Sequence, residues 1–145
     1  MIQPIQIDGK PIMIQLWDTF GEERFRHYLP FSYYRSDYIF LVFDITNRRS
    51  FLDLPEWLEH FNRFELDQKS YTILIGNKLD LENQRLVSFD EAQTFALKNG
   101  LQYIEISALQ DENFDIIKDL TILHIKQKIK NEQIVQEKRD KEIVY

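Results

Sequence analysis

The chain contains no cysteine. That excludes disulfides and cysteine-based metal sites, and it leaves no attachment point for a prenyl group in this sequence. It also fits a cytoplasmic protein. Glycine is scarce, with only Gly9, Gly21, Gly76 and Gly100 in 145 residues. No run of about eighteen apolar residues occurs, so no transmembrane helix is expected. Met1 to Lys10 has neither the basic start nor the apolar stretch of a signal peptide. Positive charge is in deficit. Eighteen Lys and Arg face 24 Asp and Glu, a net charge of −6, which argues against a nucleic-acid or anionic-membrane surface. His27, His60 and His124 share no metal-ligand spacing.

What remains is an ordinary globular balance of 43% hydrophobic and 29% charged residues. Eleven Phe in a chain that is 14% aromatic point to a well-filled core. The length suits one domain. Ile5-Gln6-Ile7, the turn signal Asp8-Gly9 and Ile12–Trp17 predict a β-hairpin. Thr19–Tyr34 has no clean period and reads as a loop with a short irregular helix. Tyr38–Phe43 is a continuous apolar run, the pattern of a strand buried on both faces. Ser50 is placed to cap a helix carrying Leu54, Trp57, Leu58 and Phe61 on one face, with Pro55 early enough to be tolerated.

Tyr71–Gly76 is the next strand. Ser88-Phe89-Asp90-Glu91 has capping-box spacing and opens a helix through about Lys98, stopped by Asn99-Gly100. A strand over Leu101–Ile106 follows. The last helix starts at Asp111 or Asn113, with Phe114, Ile117, Leu120 and Leu123 on one face. Strands alternating with helices imply an α/β fold with a mainly parallel sheet. One domain over 1–129 and a charged helical extension or tail over 130–145 are expected, in a monomer.

Three short motifs stand in order along this framework. Trp17-Asp18-Thr19-Phe20-Gly21-Glu22-Glu23-Arg24-Phe25 comes first, Asn77-Lys78-Leu79-Asp80 second, and Glu105-Ile106-Ser107-Ala108-Leu109 third. Together they resemble the switch II, guanine-reading and Ser-Ala motifs of Rab-type small GTPases of the Ras superfamily. Phe43-Asp44-Ile45-Thr46-Asn47 agrees, as do Arg24-Phe25 and Tyr33-Tyr34-Arg35. The resemblance runs from about Ile5 to Ile125. It implies a small-GTPase (P-loop NTPase) fold that binds GTP or GDP with magnesium.

By that resemblance Asp18 contacts the magnesium shell, and Gly21 offers its N–H to the terminal phosphate, where a Cβ would obstruct close approach. Magnesium prefers oxygen ligands, which suits a carboxylate. Asp80 accepts two N–H bonds from the guanine edge, the Lys78 stem packs over a ring and Asn77 ties neighbouring loops. Ser107 and Ala108 complete the base site, the Ala108 N–H facing the guanine carbonyl. Leu109 stands where the family has Lys. Trp17, Phe25 and Tyr33 would form a partner-binding aromatic patch.

The departures are equally plain. No Gly-x-x-x-x-Gly-Lys-Ser/Thr occurs, so the backbone cradle, the phosphate Lys and the hydroxyl ligand of magnesium have no counterpart. The switch I Thr is also missing. The fold expected is therefore an incomplete small-GTPase fold, N-terminally truncated, without the first strand and first helix. The missing strand would lie between Ile12–Trp17 and Ile39–Phe43, so those two segments either pair directly or leave open edges.

Glu22 stands at the catalytic position where the family has the water-orienting Gln. A carboxylate only accepts hydrogen bonds and brings negative charge toward phosphate, so slow hydrolysis is expected. Three functions are compatible with this pattern: a Rab-like switch in vesicle traffic, a non-enzymatic interaction module, or a fragment that folds poorly. The switch would meet effector or regulator proteins and reach endomembranes through a partner.

Overall fold

A computed structural model describes residues 2–18, 36–64 and 70–142. The chain divides into two compact units, Met1–Leu16 with Asp115–Tyr145, and Trp17–Phe114.

In the first unit, strands β1 (Ile2–Ile7) and β2 (Lys10–Gln15) pair antiparallel, closing at Ile7 opposite Lys10. Asp8 and Gly9 both adopt positive φ, 50° and 76°. That is the twist a two-residue hairpin loop requires, and it explains the Asp-Gly pair. The strand ends at Gln15 rather than at the expected Trp17. The same unit holds most of the last helix, which runs unbroken from Phe114 to Glu142. Lys126 Nζ donates to Asp8 Oδ1 at 2.7 Å, tying the hairpin turn to that helix. Ile7 and Ile117 are buried.

The second unit is built on a parallel sheet. Strands β3 (Tyr38–Asp44), β4 (Tyr71–Asn77) and β5 (Gln102–Glu105) lie in that order. Register pairs Leu74 with Leu41 on one side and Tyr103 on the other, and Gly76 with Phe43 and Glu105. Helices α1 (Arg48–Leu52), α2 (Leu54–Phe64) and α3 (Phe89–Lys98) contribute Phe51, Leu54, Ala92 and Ala96 to a core with Leu41, Phe43, Ile45, Leu74 and Val87. The last helix is α4 (Phe114–Glu142). Phe43, Phe51 and Phe95 form a chain of edge-on ring contacts at 5.2 and 5.5 Å.

Two expectations require correction. Central strand β4 has Ile73, Leu74 and Ile75 all buried, as its apolar run implies. Strand β3 does not match its own run, because Phe40 is 38% and Val42 52% exposed. Among the described residues β3 pairs only with β4. The helical core lies on the Leu41 and Phe43 face, so alternate side chains of β3 face outward. β2 belongs to the two-stranded sheet and β3 to the three-stranded one.

The second correction concerns Ser50. Asn47 is the N-cap of α1, its side chain accepting from Arg49 N at 3.0 Å. Ser50 lies inside that helix and is used differently. Its Oγ accepts from Asp44 N at 3.0 Å and donates to Asn47 O at 2.8 Å. Helix α2 then begins at Leu54, and Pro55 falls in its first turn, where a missing N–H costs little. Trp57, Leu58 and Phe61 pack against the core, the face expected of them. Ser88 caps α3 by accepting from Glu91 N at 3.2 Å, as its capping spacing implies.

Candidate functional site

The carboxyl ends of the three parallel strands converge, and the polar motifs sit there. Backbone bonds join the ends directly. Ile45 N donates to Asn77 O at 3.1 Å, Ile106 N to Gly76 O at 2.8 Å and Leu79 N to Ile106 O at 2.9 Å. Side chains leaving β3, β4 and β5 are therefore held in one place.

Asn77 ends β4. Its Oδ1 accepts from Lys78 N at 2.8 Å and from Ala108 N at 3.1 Å. One side chain thus ties the β4 end to the loop after β5. Lys78 adopts left-handed backbone geometry, φ 71° and ψ 40°, which turns its N–H back toward Asn77. Its ammonium lies 2.6 Å from Asp44 Oδ2. The other Asp44 oxygen accepts from Thr46 N at 2.8 Å and Thr46 Oγ1 at 2.7 Å. Partial burial alone would push the Asp44 carboxyl up. The Lys78 ammonium and the Thr46 donors outweigh it and hold the carboxyl below its ordinary value of 3.8.

Asp80 lies in the first turn of a 3₁₀ segment, Leu79–Gln84. Ser107 Oγ donates to Asp80 Oδ1 and accepts from Gln110 N at 3.1 Å. Ser107 is fully buried, so its hydroxyl acts as a fixed strut for the carboxylate. An ionised carboxylate accepts at both oxygens. With its rotation set by Ser107, Asp80 presents an acceptor edge suited to a ligand carrying adjacent N–H donors. Leu109 is 84% exposed and places an apolar side chain in solvent beside this cluster.

A second network braces the 3₁₀ segment. Arg85 forks onto Glu105, with Nη1 and Nη2 each 2.7 Å from a carboxylate oxygen, and its Nε reaches Glu82 at 2.8 Å. The Tyr103 hydroxyl donates to the same Glu105 carboxylate. Asn113 Nδ2 donates to Glu105 O at 2.9 Å, fixing the loop that carries Ser107 and Ala108.

Five residues singled out in the sequence, Asn77, Lys78, Asp80, Ser107 and Ala108, therefore meet. Asp18 is exposed, and no hydrogen bond or ion pair among the described residues joins it to them. Trp17 is 63% exposed. Gly21, Glu22, Phe25 and Tyr33 lie outside the described residues. Sequence reasoning gave no role to Asp44 or Arg85. Asp44 was visible only as a letter in Phe43-Asp44-Ile45-Thr46-Asn47, and its partner is remote in sequence.

The cluster offers a carboxylate acceptor on Asp80 and a backbone donor at Ala108. Magnesium fares differently: it takes several oxygen ligands, and no group of three or more His, Asp or Glu among the described residues could hold a metal. At a nucleotide magnesium takes one or two carboxylates plus phosphates, an arrangement distinct from an all-protein cage among the described residues. No helix among them is long and apolar enough to cross a membrane.

Parallel strands with polar loops at their carboxyl ends define an α/β class of domain whose ligands bind outside those ends. The family model described as Ras family matches residues 1–130. The chain belongs to the Ras family, as a Rab-type small GTPase. It is 40% identical over 116 residues to Ras-related protein Rab-30 of Homo sapiens, covering 79% of this chain and 56% of that protein. Ras-related protein Rab-39A of Homo sapiens is 45% identical over 116 residues, 79% and 52% of the two chains. GTP-binding protein YPT1 of Saccharomyces cerevisiae is 38% identical over 115 residues, 79% and 55%. The chain spans about half the length of these relatives.

Proposed function

We propose that this chain reads the base of a guanine nucleotide and serves as a Rab-like element of vesicle traffic. One observation carries the reading: Ser107 anchors the Asp80 carboxylate while Asn77 ties Lys78 and Ala108 into the same cluster. Guanine presents two adjacent N–H donors on the edge that Asp80 would meet, whereas adenine presents an acceptor there. The Lys78 stem supplies an apolar strip for one face of the base. The Ala108 N–H, on Asn77 in this structure, is the donor suited to the guanine carbonyl. YPT1, a relative named as a GTP-binding protein, supports the same assignment.

The 145 residues contain no Gly-rich cradle, and the reading rests on the base. Glu22 in place of the family Gln supports slow hydrolysis. Trp17, exposed at the end of the hairpin segment, together with Phe25 and Tyr33, is assigned to effector or regulator contact. Endomembrane location through a protein partner is part of the same proposal.

Thermal unfolding with GDP, ADP or neither tests the base reading, because a ligand that binds the folded state raises its stability by mass action. The expected result is a Tm rise with GDP and none with ADP, lost in Asp80→Asn. Equal shifts with GDP and ADP would overturn it. The exposed Trp17 and Glu22 in place of the family Gln favour a second reading, an interaction module, which predicts a sharp transition that neither nucleotide moves.

A further inference from the structure

We infer that Asp44 is a positioning residue of the base site, acting through Lys78; the inference rests on the guanine reading above. The lysine of the guanine-reading motif is held at both ends. Its backbone N–H is on Asn77 Oδ1 at 2.8 Å, in left-handed geometry at φ 71°. Its ammonium is on Asp44 Oδ2 at 2.6 Å. Asp44 is itself immobilised. Thr46 donates twice to its other oxygen, Ser50 Oγ accepts from its N–H, and it sits in sheet register with Asn77.

Two physical consequences follow. A lysine side chain is rich in rotamers, and a ligand that must order it loses affinity in doing so. With the tip already fixed on Asp44, the four-carbon stem is presented as a settled apolar strip before any base arrives. The second consequence is electrostatic. A ring lying on the stem strips water from the ammonium, which is costly for an unpaired charge. The Asp44 carboxylate, half-buried and ionised, supplies the counter-charge from below. Asp44 needs no contact with the ligand for either effect.

Isothermal titration with GDP on the full chain tests this, using wild type, Asp44→Asn, Lys78→Met and the double variant. Asp44→Asn keeps an oxygen for the Thr46 donors and removes only the charge. It is expected to weaken GDP binding about fivefold, the upper range for a partly exposed ion pair. In the Lys78→Met background the same change is expected to have no effect, because its route is gone. Asp44→Ser, which also retains a turn acceptor, is the second neutral variant and should show the same loss. Asp44→Glu, which keeps the charge, should recover most of the affinity.

The outcomes separate cleanly. If wild type binds GDP and both neutral variants bind it equally well, this inference falls and the guanine reading stands. If the loss persists undiminished in the Lys78→Met background, Asp44 acts through the Thr46 turn and the inference falls. If wild type binds no GDP, the guanine reading falls and takes this inference with it.

Discussion

Gly76 shows how tightly single residues are constrained behind the site. A Cβ built there would lie 2.7 Å from the Tyr103 hydroxyl and 3.1 Å from Ile45 Cγ2. The Tyr103 ring stacks on Phe43 at 6.1 Å and meets Phe89 at 5.3 Å. Burial, followed by the Glu105 carboxylate, pushes its pKa up, so the hydroxyl stays a donor and cannot swing away freely. Gly76→Ala is expected to cost about 1–3 kcal/mol by overpacking, read as a lower urea midpoint; an unchanged midpoint would show that the ring yields. Arg85→Met should cost more, about 3–5 kcal/mol, since it strands the Glu105 carboxylate, whose side chain is only 9% exposed. Asp44 adds a pH dependence. Its folded pKa is depressed, so its contribution is present above the unfolded value near 3.8 and is lost as pH falls through the lower folded value. Asp44→Asn should therefore flatten the acid limb of stability below about pH 4, measured by urea unfolding across pH; an unaltered limb would remove Asp44 from acid unfolding.

At the scale of elements, legibility followed how local each cause is. Strand β4 and helix α3 could be read because an apolar run and a Ser88-to-Glu91 cap are written in consecutive residues. The α1 to α2 segment was misread at its start. Asn47 and Ser50 are both good caps, and what decided between them was Asp44, whose backbone recruits Ser50. The outward side of β3 could not be read either, since an apolar run is silent on which face the helices cover. The 3₁₀ segment Leu79–Gln84 has no periodicity to announce it, and Arg85 braces it through Glu105, twenty residues away. The residues that meet at the strand ends were legible through family-like motifs, whereas those that brace them were not. A cap test follows. Asn47→Ala should destabilise by about 1 kcal/mol, whereas a cap at Ser50 would leave Asn47→Ala neutral; urea unfolding distinguishes the two.

For the whole molecule, the division into two units makes a distinct claim about where the proposed base site resides. Asp44, Asn77, Lys78, Asp80, Ser107 and Ala108 all belong to the Trp17–Phe114 unit, and each of the strand ends that hold them is joined to another by backbone bonds within that unit. The hairpin and the greater part of α4 belong to the other unit, where the Lys126 to Asp8 pair is exposed on both sides, 43% and 70%. Lys126→Met should therefore change stability by less than about 1 kcal/mol, as solvated ion pairs generally do. Gly9→Val is different, because φ is 76° there and a β-branched residue strains at that angle. It should loosen the hairpin and lower Tm. Neither change touches a group that faces the base, so the GDP-induced increment in Tm should be the same in Gly9→Val, Lys126→Met and wild type, each compared with its own ligand-free baseline. Loss of the increment in Gly9→Val, with the sheet unit still giving a cooperative transition, would mean that base recognition draws on the hairpin unit as well.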